Sequence, residues 1–109
     1  MVRDIVNNAE VLTALLQMKP KERLDVLQQA DEDLVRCLCA CALNVIKGNV
    51  TVNSAHKKKL SPHKHLLRAL VLRKGGWKHK KKILLQKGGN FIPLLLGPIL
   101  SAVLSSVLT

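Results

Sequence analysis

The chain has 109 residues, which is enough for one small domain or for a smaller domain with tails. Apolar residues make up 48% of it, a share that excludes a chain disordered by composition alone. Trp77 and Phe91 are its two aromatic residues, and it has no tyrosine. So few aromatic rings exclude a base-stacking surface and disfavour a β-sandwich or barrel.

Charge divides the chain into three blocks. Its 18 Lys and Arg exceed its 7 Asp and Glu, giving a net charge of +11. Residues 1–56 hold all 7 acids, residues 57–87 hold 12 bases and no acid, and residues 88–109 carry no charge. Because apolar residues recur at helical spacing, we predict an all-α protein. Its predicted segments are a helical unit over residues 1–48, a Lys-rich helical segment over 49–89 and a hydrophobic amphipathic tail over 90–109.

The first segment is predicted to form a three-helix unit. Apolar residues recur on one helical face from Ile5 to Leu16, which predicts a first helix over residues 4–18. Pro20 ends this helix, since the residue before a proline is pushed out of the α region. The same proline suits the first turn of a second helix over residues 20–30.

The third helix has the clearest signals at both ends. Asp31 is a predicted N-cap and Gly48 a predicted C-terminal glycine. Between residues 34 and 46 only Arg36 and Asn44 are not apolar. A helix that is apolar on nearly all sides needs to be surrounded. We therefore predict a central core helix covered by the two preceding helices, in a marginal core that a dimer would complete.

Three cysteines lie close together in this third helix, at Cys37, Cys39 and Cys41. A helix places Cys37 and Cys41 on one face and Cys39 on another. The spacing is neither a disulfide framework nor the paired C-x-x-C of a zinc site. We predict small core residues in a reducing compartment, and the absence of a secretory signal predicts that the chain is not secreted.

The Lys-rich segment is predicted to contain a short turn from Ser54 to Leu60 and two longer helices. Ser61-Pro62 begins the first of these, which ends at Gly75-Gly76, and the second runs from Trp77 to Lys87. Solvated helix faces normally interleave Glu with Lys, but no acid occurs here. Two interpretations of this segment remain, a solvated or targeting segment and a segment that binds a polyanion. The absence of acids favours the second.

Nucleic acid is the polyanion that this segment favours, followed by an anionic membrane surface. Ten of its 12 bases are Lys, which meets phosphate as a point charge, whereas Arg forks onto guanine edges. We expect phosphate contacts without sequence specificity and with steep salt dependence. The predicted nucleic-acid-binding residues are Lys57, Lys58, Lys59, Lys64, Arg68, Arg73, Lys74, Lys78, Lys80, Lys81, Lys82 and Lys87.

Four histidines, His56, His63, His65 and His79, lie in or beside this segment. A metal site built on His63 and His65 would need residues at i and i+2 to face one way, which a helix does not allow. We predict no metal site. Instead, the imidazoles would add positive charge below a pH of about 6.5 and strengthen anion binding.

The tail, residues 90–109, is uncharged and interrupted by Pro93 and Pro98. Beyond Pro98 it is amphipathic, with a back of small, weakly polar residues. Three alternatives stay open, namely ordinary core of the same molecule, a membrane interface, and contact with a partner or a second copy. The residues predicted for membrane or partner contact are Phe91, Ile92, Leu95, Ile99, Leu100, Val103, Leu104, Val107 and Leu108.

Two runs carry a resemblance to a family. LNVIKGNV, from Leu43 to Val50, and QKGGNFIPLLLGPIL, from Gln86 to Leu100, together with the Lys-rich helices resemble small proteins of Polinton/Maverick elements and adintoviruses, which are adenovirus-related. The order of Lys-rich segment, Gly-Gly and hydrophobic tail is also similar to adenoviral core-precursor and membrane-lytic internal capsid proteins. The resemblance covers about residues 43–100. It implies a role inside a virion, in condensing DNA, in disrupting a membrane, or in both.

Gly88-Gly89 resembles the aliphatic-x-Gly-Gly site of adenovirus-type proteases, which implies viral processing near Gly89. The chain departs from that pattern, because Gln86 occupies the position of the aliphatic residue. The alternative is a glycine that simply ends a helix.

An enzyme is not indicated. The chain has no G-x-S-x-G, P-loop or H-E-x-x-H motif, and no acid follows Asp33. We predict no catalytic residues and no cofactor. Three hypotheses remain: a DNA-condensing, virion-core-like protein, a membrane-active or membrane-anchored protein, and a helical interaction module that forms a homo-oligomer. The expected location is the virion interior or the nucleus or cytoplasm of a host cell.

Overall fold

Helices form every regular element in the part of the chain that the structure describes. The computed structural model describes the backbone of residues 2–72 and 75–108, and the side chains of these residues except 2–4, 87, 88 and 104–108. No strand occurs within these ranges, and the predicted all-α class is confirmed.

The α-helices are α1 (Val2–Asn7), α2 (Ala9–Gln17), α3 (Pro20–Gln28), α4 (Glu32–Ile46), α5 (Ser54–Leu60), α6 (Lys64–Val71), α7 (Trp77–Leu84) and α8 (Ile92–Leu108). Short 3₁₀ turns occupy Ser61–His63 and Gln86–Gly89. The turn at Ser61–His63 joins α5 to α6. Leu60, Ser61 and Lys64 keep right-handed helical backbone angles, whereas His63 departs from them with a φ of −105° and a ψ of 6°.

The first predicted helix is divided at Asn8, so the prediction of one continuous helix over residues 4–18 was wrong. The Asn8 N–H donates to the Ile5 carbonyl at 3.3 Å, and the Asn8 carbonyl accepts from the Leu12 N–H at 2.9 Å. Asn side chains compete with the helical backbone for hydrogen bonds, which explains a break at the Asn7-Asn8 pair. The break lets α1 pack against α4 while α2 packs against α8.

Helix α4 has the ends that the sequence predicts. The Asp31 carboxylate accepts from the Leu34 N–H at 2.9 Å. Gly48 has a φ of 73°, and its N–H donates to the Val45 carbonyl at 3.2 Å. The Asn49 N–H donates to the Asn44 carbonyl at 3.0 Å. These two bonds form a Schellman motif, which satisfies carbonyls that the end of the helix would leave unpaired.

Helix α4 is the centre of the core, but its cover differs from the prediction. The two preceding helices were predicted to cover it, whereas its most extensive packing is with α6, followed by α7, α8 and α1. Helix α3 packs mainly on α7 and on the Gln86–Gly89 turn. A helix that is apolar nearly all round needs neighbours on several sides, and the first segment is too short to supply them.

The tail packs inside the molecule over residues 91–100. Phe91, Ile92, Leu95 and Ile99 are each no more than 1% exposed, and Leu96 and Leu100 are buried as well. Helix α8 packs on α2, α4 and α5. Of the three alternatives for the tail, ordinary core is the arrangement found for Phe91, Ile92, Leu95, Ile99 and Leu100. The side chains of Leu104, Val107 and Leu108, which were also predicted for membrane or partner contact, lie outside the described residues. Among the described residues, no helix combines the length and hydropathy needed to cross a bilayer.

Gly89 lies where the chain turns into α8. It is buried, its φ is 71°, and a Cβ placed there would come within 2.9 Å of the Leu27 Cδ1 atom. The left-handed backbone conformation favours glycine, and any larger residue would also have to displace the Leu27 side chain. The alternative of a glycine that ends a helix therefore accounts for this residue within the fold.

A single long-range hydrogen bond anchors α8 at its proline. Pro98 lies inside α8 and has no N–H, so the Leu94 carbonyl has no i+4 donor. His56 of α5 fills that position, with its Nε2 atom 2.5 Å from the Leu94 oxygen. Because a carbonyl oxygen only accepts, Nε2 is the donor. The imidazole thus compensates for the bond that the proline removes.

This arrangement predicts a dependence of His56 on Pro98. His56→Ala should lower the free energy of unfolding by about 1–3 kcal/mol, because it leaves a buried carbonyl unsatisfied. In a Pro98→Ala background the loss should shrink, since the backbone N–H restored at position 98 satisfies Leu94. Urea unfolding of the four proteins of this cycle measures the coupling. His65→Ala, at an exposed imidazole, is the matched control. The same loss in both backgrounds would contradict the assignment.

Candidate anion-binding surface

The cations of residues 57–87 do not share one environment. Seven are exposed, namely Lys57, Lys58, Lys59, Lys64, Arg68, Lys78 and Lys82. Lys81 is half-buried and Lys80 is buried, with 8% of its surface exposed. Of the other predicted residues, Arg73 and Lys74 lie outside the described residues, and so does the side chain of Lys87.

Four of the exposed cations line a groove of about 580 Å³ beside the C-terminal end of α4. We call Lys57, Lys58, Lys64 and Arg68 the groove cations. The remaining lining consists of Ser61 and five apolar residues, which are Val45, Ile46, Val52, Leu60 and Leu67. No carboxylate lines the groove among the described residues, so its rim presents one sign of charge.

Helical spacing explains how the rim is built. Lys57, Ser61, Lys64 and Arg68 follow one another at intervals of four, three and four residues. Lys64 and Arg68 are one turn apart on α6, as Lys57 and Ser61 are at α5, and all four side chains line the groove. The opposite side of α6 carries Leu66 and Leu70, which are buried in the core.

The α7 cations lie apart from the groove. Lys78 and Lys81 each place Nζ 6.0 Å from the centroid of the Trp77 ring, which is the outer range of a cation–π contact. Lys82 is exposed. None of these residues lines the groove. The exposed cations of α7 are therefore separate from the groove cations.

Lys80 and Lys81 have structural roles that the sequence did not reveal. The Lys80 ammonium donates to the carbonyl of Ala69, at 2.7 Å, and to that of Leu72, both in the last turn of α6 or just after it. Lys81 donates to the Ala30 carbonyl, 3.0 Å away, beyond the end of α3. Carbonyls in the last turn of a helix are those that the helix itself leaves without donors, and a cation is favoured at this negative end. Predicting Lys80 as a phosphate contact was wrong, because its charge is buried and bonded.

Arg23 has the same function at α2, and the sequence analysis missed it. Its Nε donates to the Leu15 carbonyl at 2.9 Å and its Nη2 to the Met18 carbonyl at 2.7 Å. The side chain is 6% exposed. A signal was available, since an arginine one turn into a helix that follows X-Pro lies close to the end of the preceding helix.

Carboxylates compensate little of the positive charge. Among the described Lys, Arg, Asp and Glu side chains there is one ion pair, between Arg36 and Glu32 at 3.4 Å. Both partners are exposed, so this pair contributes little to stability. With no acid in the groove, the groove cations raise a positive potential that attracts anions.

The histidines are dispersed. His56 bonds the Leu94 carbonyl, and the His63 ring stacks on Phe91 with a centroid distance of 5.9 Å. His65 and His79 are exposed. Within the described residues, no group of three His, Cys, Asp or Glu side chains is gathered as a metal site requires.

The cysteines are core residues, as predicted. Cys37 and Cys41 are fully buried, Cys39 is half-buried, and no disulfide joins these three residues. A hydrogen bond with Cys37 and burial raise the pKa of the Cys41 thiol well above its usual range. Burial also raises the pKa of Cys39, against an opposing effect of the nearby Lys80 charge. These thiols stay protonated at neutral pH and are poor nucleophiles.

Comparisons of the chain with protein-family models, with curated proteins and with solved structures found no match.

The two roles of lysine in α7 can be separated by mutation. Lys80→Met should lower the free energy of unfolding by about 1–3 kcal/mol, because it leaves the carbonyls of α6 without their donor. Lys78→Met, at an exposed position of the same helix, is the matched control and should change stability by less than about 0.5 kcal/mol. Urea unfolding at neutral pH measures both. Equal stabilities would contradict the structural role of Lys80.

The raised thiol pKa values predict a loss of stability in alkali. In the unfolded chain the thiols lose their protons near the usual pKa of 9.0, whereas Cys39 and Cys41 keep theirs in the folded state. The unfolded state therefore binds fewer protons above this pH, and stability falls as pH rises. Urea midpoints under reducing conditions at about pH 8 and pH 10 measure the fall. The decrease in the urea midpoint between these two pH values should be smaller in a Cys41→Ala variant. An equal decrease in the variant would show that the Cys41 thiol is not its cause.

Proposed function

We propose that this chain binds the phosphate backbone of nucleic acid, without reading sequence and without catalysing a reaction. The observation that carries the proposal is the row of groove cations on α5 and α6, with no carboxylate among the described residues that line the groove. An extended polyanion neutralises such a row and releases its own counterions, which drives binding. The exposed Lys78 and Lys82 of α7 supply further contacts.

The chemistry of the row favours phosphate over base edges. Three of the four groove cations are lysines, which contact phosphate as point charges. Reading of bases in the major groove relies on Arg, Asn and Gln in bidentate pairs, and Arg68 is the one such residue that lines the groove among the described residues. Contacts of this type hold a protein on the duplex and carry no sequence information.

The biological setting of this proposal follows the resemblance to Polinton/Maverick and adintovirus proteins. A small basic protein of that type would condense packaged DNA inside a virion by neutralising its backbone. We keep DNA as the first ligand to test for this reason, with RNA of matched length as the comparison.

The test is a binding titration of the full chain with labelled duplexes of two unrelated sequences over a range of salt. Both sequences should bind alike, and log K should fall with log salt by about 0.9 for each phosphate neutralised. Lys64→Gln with Arg68→Gln should reduce that slope by about 1.8, because two contacts are lost.

The matched control for this pair is Lys19→Gln with Lys21→Gln, which removes the same charge from exposed positions outside the Lys-rich segment. The control should leave the slope within about 0.5 of that of the parent chain. Equal effects of the two double variants would mean that only net charge matters. That result, or affinity independent of salt, would overturn the proposal.

A further inference from the structure

The floor of the groove is a feature that phosphate binding does not explain. It is formed by Val45, Ile46, Val52, Leu60 and Leu67, of which Ile46 is 44% exposed. Phosphate contacts need charge and hydrogen-bond donors, and they gain nothing from an apolar surface. Apolar side chains that line a concavity, with one of them exposed as Ile46 is, are typical of sites that take an apolar ligand.

The size of the groove limits what fits. Its volume of about 580 Å³ lies within the range of roughly 300–1,000 Å³ that is usual for sites of small molecules. Ten residues from α4, the loop after it, α5, the 3₁₀ turn and α6 line the groove. A single small molecule fits this volume.

The charged side chains at the rim of the groove determine which charge a ligand should carry. Lys57, Lys58, Lys64 and Arg68 surround the apolar floor, and Ser61 adds a hydroxyl. No carboxylate among the described residues opposes them, so an anionic head is favoured and a cationic one is repelled. Lysine and arginine stems also extend the apolar surface while their charged ends reach the head.

We propose that the groove binds one single-chain amphiphile with an anionic head, a fatty-acid carboxylate or a lysolipid phosphate. The chain lies on Ile46, Val45 and Val52, and the head meets Lys64 and Arg68. This proposal stands on the apolar floor and does not depend on the proposed nucleic-acid function. The two share the groove cations, so an amphiphile in the groove would compete with nucleic acid for them.

The test is calorimetric titration of the full chain with oleate and with lysophosphatidate, each below its critical micelle concentration. Both should bind with a stoichiometry of one. Lysophosphatidylcholine, which has the same chain and a zwitterionic head, should bind about tenfold more weakly. Inorganic phosphate tests the head without the chain and should show no saturable binding at the same concentrations.

Two variants locate the site. Ile46→Asn should weaken oleate binding about tenfold, because it removes apolar contact from the floor and leaves all four groove cations in place. Val11→Asn is the matched control, since Val11 of α2 is 43% exposed and lies outside the groove. Ile46→Asn should leave the salt slope of DNA binding unchanged, so failure of one proposal is distinguishable from failure of the other. Equal oleate affinity in Ile46→Asn and Val11→Asn, or phosphate binding as tight as lysophosphatidate, would overturn the amphiphile site.

Discussion

A shortage of carboxylates is the constraint on which this structure depends. The chain has 18 Lys and Arg against 7 Asp and Glu, and no acid follows Asp33. Ion pairs therefore cannot compensate most of the positive charge, and the fold uses the carbonyls of helix ends instead. Arg23 bonds carbonyls at the end of α2, Lys81 one beyond α3, and Lys80 two at the end of α6. Each pairing satisfies acceptors that a short helix leaves unbonded and places a cation at the negative end of its dipole.

The cations that find no carbonyl are the ones that face solvent, and their placement follows from the core. Helix α4 needs cover on several sides, and α6, α7 and α8 supply it. Burying Leu66 and Leu70 of α6 against this core turns Lys64 and Arg68 outward, beside the exposed Ile46 at the end of α4. Within the part of the chain that the structure describes, the groove therefore combines two features, positive charge that no carboxylate neutralises and apolar surface that no helix covers. That combination is the basis of both proposals, an anionic ligand held by the groove cations and an apolar chain held by the floor.

Local sequence signals predicted the ends of helix α4, whereas tertiary contacts determined how the helices pack. Asp31 and Gly48 bound α4 as predicted because caps act on their own helix. The sequence could not distinguish Lys80 from Lys78, since the carbonyls that hold Lys80 belong to another helix. The sequence left three alternatives for the tail for the same reason, because the helices that cover residues 91–100 are distant in sequence. Pro98 carried a usable signal for the packing of α8. A proline inside a helix leaves a carbonyl that needs a donor from elsewhere, and His56 is that donor.

Most of the positive charge of this protein has no carboxylate partner within the chain. The resulting repulsion destabilises the folded state, and anions in solution relieve it. Thermal melting of the full chain over increasing NaCl, starting from about 10 mM, tests this most directly. Screening shortens the range of repulsion from about 30 Å at 0.01 M to about 10 Å at 0.1 M, so the melting temperature should rise over this interval. A melting temperature that stays constant or falls over the same interval would contradict the account.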